Sequence, residues 1–187
     1  MLRTLIKLIL GYGSVRSFSQ FGEDAVINRL LPSKGFYVDV GAYHPHLYSN
    51  TYLLYRKGWK GIAIEPNRFM KPLWTVFRPR DTFMNCGVAL TAGTRAYNAF
   101  KDGAYNSVGD TGQDVFVAPL SHLLKGIEKI DFLNVDCEGM DSEVLHSHDW
   151  QVKPTIIAVE ADVSDFLPTK GYRLVAHTGL TDIWKLA

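Results

Sequence analysis

Four short apolar runs constrain this chain more than any other feature. They are Phe36–Ala42, Gly61–Glu65, Ile130–Asp136 and Thr155–Glu160. A strand with one wet face alternates apolar and polar residues, and these runs barely do. Strands of that kind are buried on both faces, which is the mark of a mostly parallel sheet covered by helices. Helical patterns lie between them: Asn50–Arg56 closed by Gly58, Phe69–Phe77, Pro119–Leu124 and Gly139–His146. Thr82–Leu90 reads as a further strand interrupted by Gly87, and the glycine-punctuated stretch 91–116 reads as a hairpin with loops. Tyr172–Ala176 and Asp182–Leu186 stand too close together for a helical crossover, so they form an antiparallel hairpin around Gly179.

Composition narrows the functional classes. The 187 residues suit one domain, taken as residues 1–16, a helical extension, and 17–187, a core. Twenty Lys and Arg against 19 Asp and Glu leave a net charge of +1, which gives no global pull toward nucleic acid or anionic membrane. Two cysteines, Cys86 and Cys137, are too few for a disulfide scaffold or a four-cysteine zinc site. Residues 1–10 are apolar with Arg3 and Lys7 among them, far short of the ~20 residues that span a bilayer. They read as a short helix on the domain, with an interfacial anchor as the second reading. No signal-peptide cleavage pattern follows, and with free thiols the expected compartment is the cytoplasm. Trp59 and Trp74, taken as exposed aromatics, are candidates for a homo-oligomer interface.

Ligands of open parallel sheets bind beyond the carboxyl ends of the strands. The first run ends in Asp39-Val40-Gly41-Ala42, where small residues let a ligand approach the backbone. The full dinucleotide glycine fingerprint is missing, since Tyr43-His44-Pro45 follows Gly41. The second run ends in Glu65, where a carboxylate can accept from both hydroxyls of a ribose. Together Gly41 and Glu65 suggest an adenosine-bearing ligand. At the third run, alternation by two places Asn134, Asp136 and Glu138 on one face, opposite Leu133, Val135 and Cys137. His44 and His46 bracket Pro45 and suit either a general base or a shared metal.

Several motifs in order resemble the FkbM-like family of S-adenosylmethionine-dependent methyltransferases. They are Ser19-Gln20-Phe21-Gly22-Glu23-Asp24, Val38-Asp39-Val40-Gly41-Ala42, Ser49-Asn50-Thr51 with Gly58-Trp59, Gly61–Asn67, Asp131–Gly139, and Gly171-Tyr172 with the terminal hairpin. The resemblance implies an α/β, Rossmann-like class I methyltransferase fold: a seven-stranded, mostly parallel sheet, an antiparallel carboxyl-terminal hairpin and helices on both faces. It implies S-adenosylmethionine as cofactor, with Asp39, Gly41 and Ala42 beneath its methionine part and Glu65 on the ribose. Asn67 would lie near the adenine, Asn85, Cys86 and Gly87 would flank the base, Asp136 and Glu138 would face the methionine or the reacting centre, and Gln20 would fold over the cofactor. The family's acceptors are hydroxyls on sugars, glycans or small natural products. His44-Pro45-His46 departs from the glycine common at that loop in the wider superfamily.

A hydroxyl is a poor nucleophile, so a base should take its proton. Glu138, Asp136 and His44 are the catalytic candidates, with Glu160 behind them. Two other readings stay open: a nucleotide- or cofactor-binding module without catalysis, and a metal-dependent enzyme built on His44 and His46. Nucleic-acid methylation fits less well, because Asp136-Cys137-Glu138-Gly139 stands where amino-directed enzymes carry a Pro-Pro-aromatic loop.

Overall fold

A computed structural model describes residues 17–98, 107–108 and 113–187. The expected helix at residues 1–10 lies outside them. Helix α1 (Glu23–Leu30) leads into β1 (Phe36–Val40), α2 (Tyr52–Arg56) and β2 (Lys60–Ile64). A 3-10 turn (Arg68–Met70) opens α3 (Lys71–Phe77), and β3 (Thr82–Met84) follows. Short strands β4 (Gly87–Val88), β5 (Gly93–Asn98), β6 (Ser107–Val108) and β7 (Gln113–Ala118) come next. The chain continues through α4 (Leu120–Leu123), β8 (Phe132–Val135), α5 (Asp141–His146) and β9 (Ile156–Val159). It finishes with a 3-10 turn (Leu167–Lys170), β10 (Tyr172–Thr178) and β11 (Thr181–Leu186).

The principal sheet has seven strands in the order β10-β11-β9-β8-β1-β2-β3. Its β3-β2-β1-β8-β9 portion is parallel throughout, and β11 runs antiparallel to both β9 and β10. The apolar runs explain this arrangement. Along β1, β8 and β9, alternate residues feed two cores on opposite faces. Val38, Val40, Leu133, Val135, Ile157 and Val159 enter one, while Tyr37, Phe132, Ile156 and Ala158 enter the other with Ile27 and Leu54. Each Val, Leu, Ile or Phe among them contributes about 1.5–3 kcal/mol by leaving water. Among the described residues no helix is long and apolar enough to cross a membrane.

Three expectations are corrected. Thr82–Leu90 is two strands in two sheets. Asn85 donates its side-chain amide to the Glu65 and Pro66 carbonyls, both at 2.9 Å, and so turns the chain away from β2 before β4 begins. Within 91–116 the described residues include the antiparallel pairing expected of a hairpin, but it belongs to a second, four-stranded sheet: β4 pairs parallel with β7, and β5 pairs antiparallel with β7 and β6. Trp59 and Trp74 are not exposed. Each is 1% accessible, because each indole N–H has an internal carbonyl to donate to, Ser33 at 3.2 Å and Tyr43 at 2.8 Å, and the rings fill the layers beneath α2 and α3.

Candidate active site

A cavity opens beyond the carboxyl ends of β2, β1 and β8, with the four-stranded sheet as its far wall. Gln20, Asp39, Gly41, Ala42, Glu65, Cys86, Asp136 and Glu138 all line it. Asn67 and His44 do not. The Asn67 side chain accepts from the Phe69 amide at 3.0 Å and caps the 3-10 turn. The His44 ring nitrogen Nδ1 accepts from the backbone amides of His46 and Leu47 at 3.3 and 3.2 Å, which fixes the loop. Burial, reinforced by His46, pushes the His44 imidazole down to about 4. Among the described residues no three His, Cys, Asp or Glu side chains stand together in a way that could hold a metal ion.

At the end of β1 the backbone passes very close to the neighbouring strand. Gly41 has φ +76, donates its amide to the Ile64 carbonyl at 3.0 Å, and lies against Asp136. A β-carbon there would sit 1.7 Å from the Asp136 carbonyl oxygen, so only glycine fits. Four non-glycine residues have positive φ among those described, and Tyr43, Tyr48 and Glu138 of these line the cavity. Backbone held in that region costs roughly 1–3 kcal/mol per residue and gathers at functional sites.

Glu65 is 3% accessible and joins three segments. Its Oε2 accepts from the Tyr43 amide at 2.8 Å; its Oε1 accepts from the Asn67 amide at 2.6 Å and from the Tyr97 hydroxyl at 3.3 Å. Burial outweighs these bonds and pushes the carboxyl up to about 7. Asp39 is also satisfied internally. Oδ2 accepts from the Thr51 hydroxyl, Oδ1 accepts from the Asn134 amide at 2.9 Å, and Asn134 in turn accepts from Asn50 at 3.0 Å. The Ser49-Asn50-Thr51 motif is therefore the clamp that fixes the cavity floor.

Behind this clamp lies Arg78, 1% accessible at the end of α3. Its guanidinium donates to Asp81 at 2.7 Å, to Thr51 at 3.0 Å, to the Pro45 carbonyl at 3.2 Å, to Ser49 at 3.4 Å and to Tyr37, and it lies 4.2 Å from the Trp74 ring. Burial raises Asp39 above the usual carboxylate range, and the Arg78 charge opposes that rise.

β8 ends at Val135, one residue before Asp136. Alternation holds through Asn134 and Val135, but Glu138 sits on a turn with φ +48 and is exposed at the rim. The turn is folded around Asp141, which accepts from the Cys137 and Gly139 amides at 3.1 and 3.2 Å. Asp136 is half-buried. Burial first, then the carboxylates of Glu160, Asp141, Glu138 and Asp39, push it up to about 8. Cys137 packs partly into the core yet also lines the cavity, and burial holds its thiol well above the usual range. Glu160 is exposed and does not line the cavity.

Sequence reasoning missed Arg78, Asn50, Tyr43, Tyr48, Arg95 and Tyr97 as site residues. Asn50 had a signal, its place in Ser49-Asn50-Thr51. Arg95 and Tyr97 lie in the stretch read as irregular; Arg95 is the single Lys or Arg on the described wall and pairs with Glu143 at 3.3 Å.

The fold has a counterpart among solved structures. A crystal structure titled Methyltransferase FkbM from Methylobacillus flagellatus KT superposes with a TM-score of 0.58 at 16% identity, over 82% of this chain and 44% of that one. The present chain thus spans less than half the length of that relative, and the likeness speaks for the fold. No curated protein matches the chain. The family described as Methyltransferase FkbM domain matches residues 39–174, from the aspartate at the cavity floor to the start of the last hairpin. That span is well over half of the sequence, and the chain belongs to the FkbM methyltransferase family.

Proposed function

We propose that this protein is an S-adenosylmethionine-dependent methyltransferase acting on a hydroxyl of a small molecule or glycan. The observation that carries the reading is the convergence of Gly41, Glu65 and Asp136 in one cavity at the ends of three adjacent strands. The donor set suits the cofactor. Glu65 offers a buried carboxylate to a ribose, Gly41 and Ala42 allow close backbone approach, and Cys86, Val88, Val115 and Val117 make an apolar wall for a base. When bound, the cofactor supplies a methyl group already activated by its sulfonium.

The chain then has two tasks. One is to hold the acceptor oxygen in line with the methyl and exclude water, which in favourable cases is worth several kcal/mol. The rigid floor built from Asp39, Asn134 and Asn50 serves that purpose. The other is to take the hydroxyl proton as the oxygen gains carbon. Asp136 is our choice of base, because it lines the cavity beside Gly41 and its carboxyl is held near 8, close to working pH. Glu138, exposed at the rim, would contact the acceptor rather than the reacting centre.

A carboxylate works as a base only when ionised, and Asp136 ionises as pH rises through about 8. Turnover is therefore expected to climb from pH 6 through 8 and to level off only above about pH 9, and Asp136→Asn should lower it by about 100-fold or more. Mass spectrometry of sugars, alcohols and extracted glycans incubated with labelled cofactor checks both points. The Asn variant should keep cofactor affinity; that pattern separates an enzyme from a binding module. A pH-independent rate, or full activity in Asp136→Asn, removes Asp136 from this role.

A further inference from the structure

Tyr97 belongs to the inserted sheet, yet its hydroxyl reaches across the cavity to the end of β2. The ring is 5% accessible and its neighbours Arg95 and Ala96 form part of the far wall. This side chain therefore ties the inserted sheet, the far wall of the cavity, to the carboxylate assigned to a ribose.

Counting acceptor positions gives that tie a consequence. A carboxylate has about four such positions, two on each oxygen. Oε1 of Glu65 has both filled, by the Asn67 amide and the Tyr97 hydroxyl, and Oε2 has one filled by the Tyr43 amide. One position remains, but the two hydroxyls of a ribose need two. The Asn67 and Tyr43 donors are backbone amides at 2.6 and 2.8 Å, anchored where the sheet ends. The Tyr97 bond, at 3.3 Å, is the longest of the three and the only one made by a side chain. It is the bond that yields.

We propose that Tyr97 is a displaceable latch: its hydroxyl occupies one of the two Glu65 positions that a ribose diol requires, so a nucleoside-bearing cofactor unlatches the inserted sheet as it binds. The proposal rests on the reading of Glu65 as the ribose acceptor. The far wall then loosens only on its Tyr97 side, since Arg95 still pairs with Glu143 at 3.3 Å.

The sign of one substitution tests it. Tyr97→Phe keeps the ring in place and removes only the competing hydroxyl. Titration calorimetry should show S-adenosylhomocysteine binding about threefold to tenfold tighter to Tyr97→Phe than to the unmodified protein. With the 2′-deoxy analogue, which needs one acceptor position, the two proteins should bind equally. Thermal denaturation confirms that the variant is folded. Weaker binding of both ligands to Tyr97→Phe would make Tyr97 a direct ligand contact and overturn the latch, as would equal affinity for S-adenosylhomocysteine. Absence of binding to the unmodified protein overturns the Glu65 reading itself, and the latch with it.

Discussion

Gly41→Ala should cost at least about 3 kcal/mol and abolish cofactor binding. Two effects combine. The backbone at φ +76 disfavours any β-carbon, and this one would lie 1.7 Å from the Asp136 carbonyl oxygen. The obstruction is backbone, so no rotamer change relieves it. β1 and β8 would have to part at the centre of the sheet, where Asp39 pairs with Asn134 and Val40 with Val135. Urea denaturation read by circular dichroism measures the loss. Near-native stability would mean that the two strands separate easily, and that the floor of the cavity is softer than these contacts require.

The second large effect is expected at Arg78. Arg78→Met should destabilise by about 3–5 kcal/mol, because removing one partner of a buried pair leaves the other charge uncompensated. Asp81 loses its 2.7 Å partner, and Thr51, Ser49 and Pro45 lose the donor that holds them around Asp39. Arg78→Lys should recover part of the loss, since it restores charge but not the five-donor fork. The deficit should also depend on pH. Burial raises Asp39 and Arg78 opposes that rise, so without the arginine the carboxyl is lifted further. A group raised in the folded state favours folding at low pH and loses that contribution as pH rises through its folded value. Arg78→Met should therefore lose stability relative to the unmodified protein as pH increases. Denaturation at several pH values reads this directly, and a deficit that shrinks toward alkaline pH would contradict it.

The parallel sheet and the terminal hairpin were legible because their signals are local. Both-face burial leaves continuous apolar runs, and a short gap forbids a crossover. Gly41 and Glu65 were legible for a related reason: strand ends mark the binding edge of such a sheet whatever the ligand. Glu138 does line the cavity, but from the rim, and Cys137 lines it too, because alternation ends at Val135 and the chain enters a turn organised by Asp141. The second sheet escaped because its pairings are distant in sequence, Gly87 with Val117 and Thr94 with Phe116, while glycine punctuation in the same stretch reads as a lone hairpin with loops. Arg78 escaped for the opposite reason. A basic residue at the end of a helix normally serves the helix dipole in water; nothing in the local pattern tells that Tyr37, Thr51 and Asp81 surround it. The tryptophans Trp59 and Trp74 belong with Arg78, since their burial depends on acceptors supplied by Ser33 and Tyr43.

Binding of the cofactor decides the account. Titration calorimetry of the unmodified protein with S-adenosylmethionine should show saturable binding to one site. Glu65→Gln, verified as folded, should bind at least about tenfold more weakly, since an amide cannot accept with both of its terminal atoms. No saturable binding by the unmodified protein, or undiminished affinity in Glu65→Gln, would contradict the assignment of this cavity to that cofactor.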